Sequence, residues 1–149
     1  MEIQEDFKEL LELLNAHKVE YMIVGGYALS HHGAPRYTGD IDIYVKPDQE
    51  NSRRVINALD QFGFGSVGLT EEDFNAPHKV VQLGYPPVRI DIMTSLSGVS
   101  CEEAFSNKMS GKYGDTPAYF IGREQFLKNK QACGRKKDEA DIEALGSET

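Results

Sequence analysis

The sequence predicts an α/β (α+β) domain in which a small mixed β-sheet is flanked by helices. Three observations carry that expectation. Phe7, Leu10, Leu11 and Leu14 recur at the i, i+3, i+4, i+7 spacing of an amphipathic helix. Two later stretches, Asp40-Ile41-Asp42-Ile43 and Val88-Arg89-Ile90-Asp91-Ile92, alternate polar and apolar residues as half-buried strands do. Helical and strand patterns are mixed with a short hairpin rather than laid out as strict βαβ repeats.

In chain order, the first helix is expected over residues 4–17 and a short buried strand over the apolar run 21–24. Gly25-Gly26 reads as a strand-to-helix turn. Residues 27–32 read as one or two helical turns, ended by Gly33 and barred from continuing by Pro35. A second strand covers 38–45. A helix covers 52–62, with Val55, Ile56, Leu59 and Phe62 on one side and Gly63 closing it. Residues 64–69 suggest a further strand, and 70–74 a turn of helix with Thr70 as N-cap and Asp73 at N3. Strands 79–83 and 88–93 form a hairpin around Gly84-Tyr85-Pro86-Pro87. Ser100 caps a helix over 100–108. Residues 118–121 read as an edge strand, followed by helices 124–132 and 137–145.

A chain of 149 residues suits a single domain, 1–149, able to bury ~68–70% of its unfolded surface. The N-terminus is acidic (Glu2, Glu5, Asp6), which predicts no signal peptide, and no apolar run approaches a membrane span. Two isolated cysteines, Cys101 and Cys133, fit a reducing cytoplasm better than a disulfide framework or a zinc site. A net charge of −8 argues against broad, sequence-independent DNA or RNA binding. The segment from Arg123 to Lys137 departs from that balance. It holds Arg123, Lys128, Lys130, Arg135, Lys136 and Lys137 against the single acid Glu124. A basic segment in an acidic protein suits a triphosphate or a nucleic-acid end, and equally a solvated helix face.

Strand parity places Asp40 and Asp42 on one face, with Arg36 and Thr38 on the same side. Asp91 projects likewise from its own strand. If the two strands are neighbours, three carboxylates converge, and without a cation they repel one another. Oxygen donors of this kind suit Mg²⁺, or Mn²⁺ in its place. Two such ions ~3.5–4 Å apart can clamp both oxygens of an in-line phosphoryl displacement. A calcium loop starting at Asp40 is excluded, because its sixth position is Val45 and its twelfth is Asn51.

Taken together, GG, a small helix ending in HG, R-x-T-x-D-I-D and the later strand R-I-D resemble the polymerase-β-type nucleotidyltransferases. Phe126 to Leu145, a lysine motif followed by R-x-x-D-x-x-D, resembles the abortive-infection (AbiEii-like) toxin members. The likeness runs from about Val19 to Leu145. It implies the nucleotidyltransferase fold and transfer of an NMP from an NTP to a hydroxyl with release of pyrophosphate. The acceptor stays open between a tRNA end, a protein side chain and a small molecule. The resemblance also implies a toxin–antitoxin or phage-defence setting with a partner protein. A non-catalytic nucleotide-binding partner or antitoxin module that keeps the fold is the alternative.

On this reading Asp40, Asp42 and Asp91 hold metal, and Gly25 and Gly26, with Arg36 and Thr38, meet the nucleotide. Lys130 and Arg135 neutralise the triphosphate. Asp91 is the candidate general base, although the resemblance also allows a carboxylate of the C-terminal helix. Asp138 orients Lys130 or the acceptor, or else Asp138 and Asp141 simply tie down their helix through Arg135 and Lys137. His31 and His32 have no partner at metal spacing, and the resemblance places them in packing against the glycine turn.

Overall fold

The computed structural model describes residues 3–34 and 39–146. Arg36 and Thr38, both expected near the nucleotide, lie outside the described residues. Helix α1 (Glu5–Ala16) buries Phe7, Leu10, Leu11 and Leu14, the four residues whose spacing predicts it. Strand β1 (Tyr21–Val24) is buried throughout. Helix α2 (Gly25–His31) starts at the two glycines themselves, so they form its first turn rather than a separate one before it.

Strand β2 (Asp40–Val45) leads to α3 (Gln49–Leu59). This helix begins earlier than its apolar spacing suggests because the Asp48 side chain accepts a hydrogen bond from the Asn51 N–H at 2.7 Å and caps it. A widened turn over Asp60–Phe64 carries Gly63 at φ +124°. The strand expected at 64–69 does not form. The segment lies outside the sheet, Gly68 turns it at φ +84°, and Val67 is exposed. The Thr70 and Asp73 capping box closes a 3₁₀ turn, as its sequence predicts.

Strands β3 (Val80–Tyr85) and β4 (Val88–Met93) pair antiparallel. The hairpin is tighter than expected, with a Pro86-Pro87 turn containing a cis bond. Helix α4 (Cys101–Ser106) is capped by Ser100, which accepts from the Glu103 N–H at 3.1 Å. A second hairpin, β5 (Met109–Tyr113) and β6 (Thr116–Phe120), precedes α5 (Arg123–Cys133) and α6 (Lys136–Ala144).

The six strands lie in the order β3-β4-β2-β1-β6-β5. β2 runs parallel to β4 and β1 parallel to β6, and the other neighbours are antiparallel. The stretch read as an edge strand is therefore interior: β6 sits between β1 and β5. The edge on that side, β5, escapes sequence reading because Gly111 interrupts its apolar face, leaving only Met109 and Tyr113 in phase opposite Ser110 and Lys112. Ile41 and Ile43 of β2 and Ile90 and Ile92 of β4 join the core with the apolar stripe of α1. Alternation then turns Asp40, Asp42 and Asp91 to the opposite face. Tyr44 shares their parity but is buried, because the Phe105 ring of α4 covers it at 5.2 Å between centroids. The acidic face is thus closed over at Tyr44 and left accessible at Asp40 and Asp42.

Candidate active site

Parallel pairing of β2 and β4 sets Asp42 beside Asp91 and Asp40 beside Arg89. One carboxylate oxygen from each of Asp40, Asp42 and Asp91 lies within 4.8 Å of the others. Burial, then repulsion from Asp40 and Asp91, pushes Asp42 up to about 7, with Lys130 and Lys137 drawing it partly back. Three hard oxygen donors sharing an excess of negative charge fit a divalent cation such as Mg²⁺. Asp91 also accepts two hydrogen bonds from Arg89, from Nε to Oδ1 and from Nη2 to Oδ2, each 3.1 Å. Arg89 lies two residues back on the same strand face, so its parity with Asp91 makes it findable from sequence.

The Val24–Gly25 junction carries the chain directly over this cluster. Gly25 has φ +71°, and a Cβ built there would overlap Asp42 Oδ2. Glycine is required at 25 both for its backbone angle and to leave room for the carboxylate. Gly26 does not share that positive φ and is an ordinary residue of the first turn of α2.

The third component comes from α5 and α6. Gly134, at φ +68°, ends α5 and lets the chain fold back into α6. Arg135 is the N-cap, and Asp138 accepts from its backbone N–H at 3.2 Å and from its guanidinium Nε at 2.7 Å and Nη2 at 3.1 Å. Lys130 Nζ lies 3.2 Å from both Asp138 Oδ1 and Asp141 Oδ2. The contact with Asp141 is a charge contact without hydrogen-bond alignment. The Lys130 and Asp138 side chains are 6% and 0% exposed. Burial by itself would raise Asp138, but the hydrogen bonds from Arg135 and then Lys130 outweigh it and hold its carboxyl at about 2. Asp141 thus meets Lys130 across the helix pair, a contact that helical spacing within α6 does not suggest.

These elements enclose a cleft of about 630 Å³. Gly25, Gly26, Asp40, Asp42 and Asp91 line one side, and Lys130, Arg135 and Lys137 the other. Asp138 does not line it. Ser97 and Asn129 extend the wall, joined by a bond from Asn129 Nδ2 to the Ser97 carbonyl at 3.0 Å. Sequence reading missed Lys137, Arg89, Ser97 and Asn129 as lining residues. Lys137 becomes visible only once the phase of α6 is known. His31 stacks on Phe120 at 4.0 Å, and His32 Nε2 donates to the Ile121 carbonyl at 2.7 Å, so both serve packing.

No protein-family model matches the chain, and no curated protein is a significant relative. Solved structures do match. A Thermotoga maritima protein assigned as a nucleotidyltransferase superposes with a TM-score of 0.64 at 14% identity, over 99% of this chain and 97% of its own. The chain has the nucleotidyltransferase fold. The lincosamide antibiotic adenylyltransferase LnuA, solved with lincomycin bound, shares this fold with a TM-score of 0.57 at 17% identity over the whole of both chains. An antigenic nucleotidyltransferase-like protein of Paracoccidioides brasiliensis gives 0.54 at 17% identity, over 96% of this chain and 75% of its own. In the present nucleotidyltransferase fold, the acidic cluster lies on the neighbouring interior strands β2 and β4.

Proposed function

We propose that this chain is a divalent-metal-dependent nucleotidyltransferase that moves an NMP from an NTP to a hydroxyl acceptor. The observation that carries the reading is the convergence of Asp40, Asp42 and Asp91 beneath Gly25 in an open cleft. The three carboxylates would hold Mg²⁺, or Mn²⁺. When bound, the ion supplies positive charge to the phosphate oxygens and lowers the pKa of the attacking hydroxyl.

The chain's own residues divide the remaining work. Gly25 and Gly26 bring side-chain-free backbone to the phosphates. Lys130, Arg135 and Lys137 form the basic far wall, which faces the charge that builds on the departing pyrophosphate. The acceptor oxygen bonds to the α-phosphorus, the bond to the β-phosphate oxygen breaks, and the hydroxyl proton passes to Asp91. Asp138 suits the base role less well, because it is enclosed behind Lys130 and held far below the usual carboxylate range.

A superposition that covers the whole of both chains with LnuA, an adenylyltransferase with a small antibiotic bound, supports a small-molecule hydroxyl as the first acceptor to try. A toxin–antitoxin setting, with an RNA end or a protein as acceptor, rests on the C-terminal motif resemblance. The test is incubation with each α-labelled NTP, Mg²⁺ and pools of small molecules, RNA and protein. Label should move to an acceptor with wild-type protein, and Asp42→Asn should lower transfer at least ~10²-fold, the cost of removing a fixed charge-stabilising group. Equal transfer by the variant would end the metal-site reading. One observation favours a second reading, a non-catalytic nucleotide-binding module: Asp91 is already neutralised by its two-point pair with Arg89. That module would bind NTP without transferring label.

A further inference from the structure

Among the described residues, four cationic side chains line the cleft: Arg89, Lys130, Arg135 and Lys137. Three are committed. Arg89 spends two N–H groups on Asp91, Lys130 lies between Asp138 and Asp141, and Arg135 grips Asp138. Among the described residues, Lys137 lines the cleft with no ion pair, is exposed, and projects its charge onto Asp42.

The placement of Lys137 is built in rather than incidental. Asp138 is fixed by four donors, and with Asp141 one turn later it pins one face of α6 inward. Successive helical residues are about 100° apart. With Asp138 inward, Lys137 swings onto the cleft side and Lys136 continues away from it; only Lys137 lines the cleft. A lysine is a compact charge on a flexible stem, suited to phosphate groups whose positions change as the leaving group departs.

We propose that Lys137 is the side chain that contacts the β- and γ-phosphates of the NTP, and that Lys130 is a positioning residue holding α6 so that Lys137 faces them. The assignment rests on the nucleotidyltransferase reading. It exchanges the roles that the sequence motif suggests for the two lysines.

Calorimetry with NTP, NMP and nucleoside, in Mg²⁺ and at two salt concentrations, tests it. Lys137→Ala should weaken NTP binding roughly tenfold or more, as loss of a charged hydrogen bond does. Nucleoside affinity and the melting temperature should stay at wild-type values. The loss should shrink at high salt, Lys137→Arg should restore part of it, and Lys136→Ala should change nothing. Unchanged NTP affinity in Lys137→Ala would overturn the assignment alone, as would equal losses for NTP and nucleoside. Absence of NTP binding by the wild type would overturn the nucleotidyltransferase reading as well. Lys130→Ala separates the two lysines: it should lower the melting temperature, and its residual NTP affinity should recover when Asp138→Asn is added.

Discussion

Two groups of buried or half-buried acids lie on opposite sides of one cleft and behave in opposite ways. On β2 and β4, Asp40, Asp42 and Asp91 crowd together, and Asp42 is pushed up to about 7. On α6, Asp138 and Asp141 are more deeply buried, yet Asp138 is held at about 2 because Arg135 and Lys130 meet it directly. Burial alone does not separate a reactive carboxylate from a scaffold one. The local charge balance does: the strand cluster carries an excess of negative charge that a cation can relieve, whereas the helix cluster is neutralised from within.

The largest effect expected from this contrast is structural. Lys130→Ala leaves Asp138 and Asp141 enclosed with less compensation, which should cost ~3–5 kcal/mol of stability. Lys130→Ala/Asp138→Asn should recover part of it. Denaturant unfolding measures both, and an undiminished midpoint in the single variant would place Lys130 in the site rather than the scaffold.

Next in size is Gly25→Ala. A side chain at φ +71° costs ~1–2 kcal/mol by itself, and here it also displaces the Asp42 carboxylate. Mg²⁺ affinity and turnover should fall further than that stability loss accounts for, while Gly26→Ala has the smaller effect. Normal Mg²⁺ binding in folded Gly25→Ala would show that Asp42 is not a ligand.

The smallest effect, and the sharpest for the comparison, is the pH dependence of metal-free stability. Asp42 has a folded pKa above its ordinary value, so its contribution is full below about pH 4 and is lost as pH rises through about 7. Asp138 has a depressed pKa, so its contribution is present above about pH 4 and is lost as pH falls toward 2. Melting temperatures in chelator should therefore drop at both ends. Asp42→Asn should remove the neutral-pH drop and leave the acid one, and saturating Mg²⁺ should suppress the neutral drop in wild type. A neutral-pH drop that persists in Asp42→Asn would assign the titration elsewhere.

Much of this architecture is legible in local pattern. The spacing of Phe7, Leu10, Leu11 and Leu14 specifies α1, and period-two alternation specifies β2 and β4 together with the faces their acids occupy, because both signals are properties of a few consecutive residues. The capping box of Thr70 and Asp73 is equally local. β5 is not legible, since its short alternation has Gly111 at the middle position and only Tyr113 is buried, and its hairpin moves β6 from the expected edge to the interior. The carboxylate cluster was inferable only on the condition that β2 and β4 are neighbours, and the parallel register that meets the condition belongs to the sheet. Above all, the tertiary structure decided which cation answers which acid. Lys130 is eight residues from Asp138, and Gly134 reverses the chain between them. Ion pairing depends on the packing of the two helices, which no periodicity within either one contains.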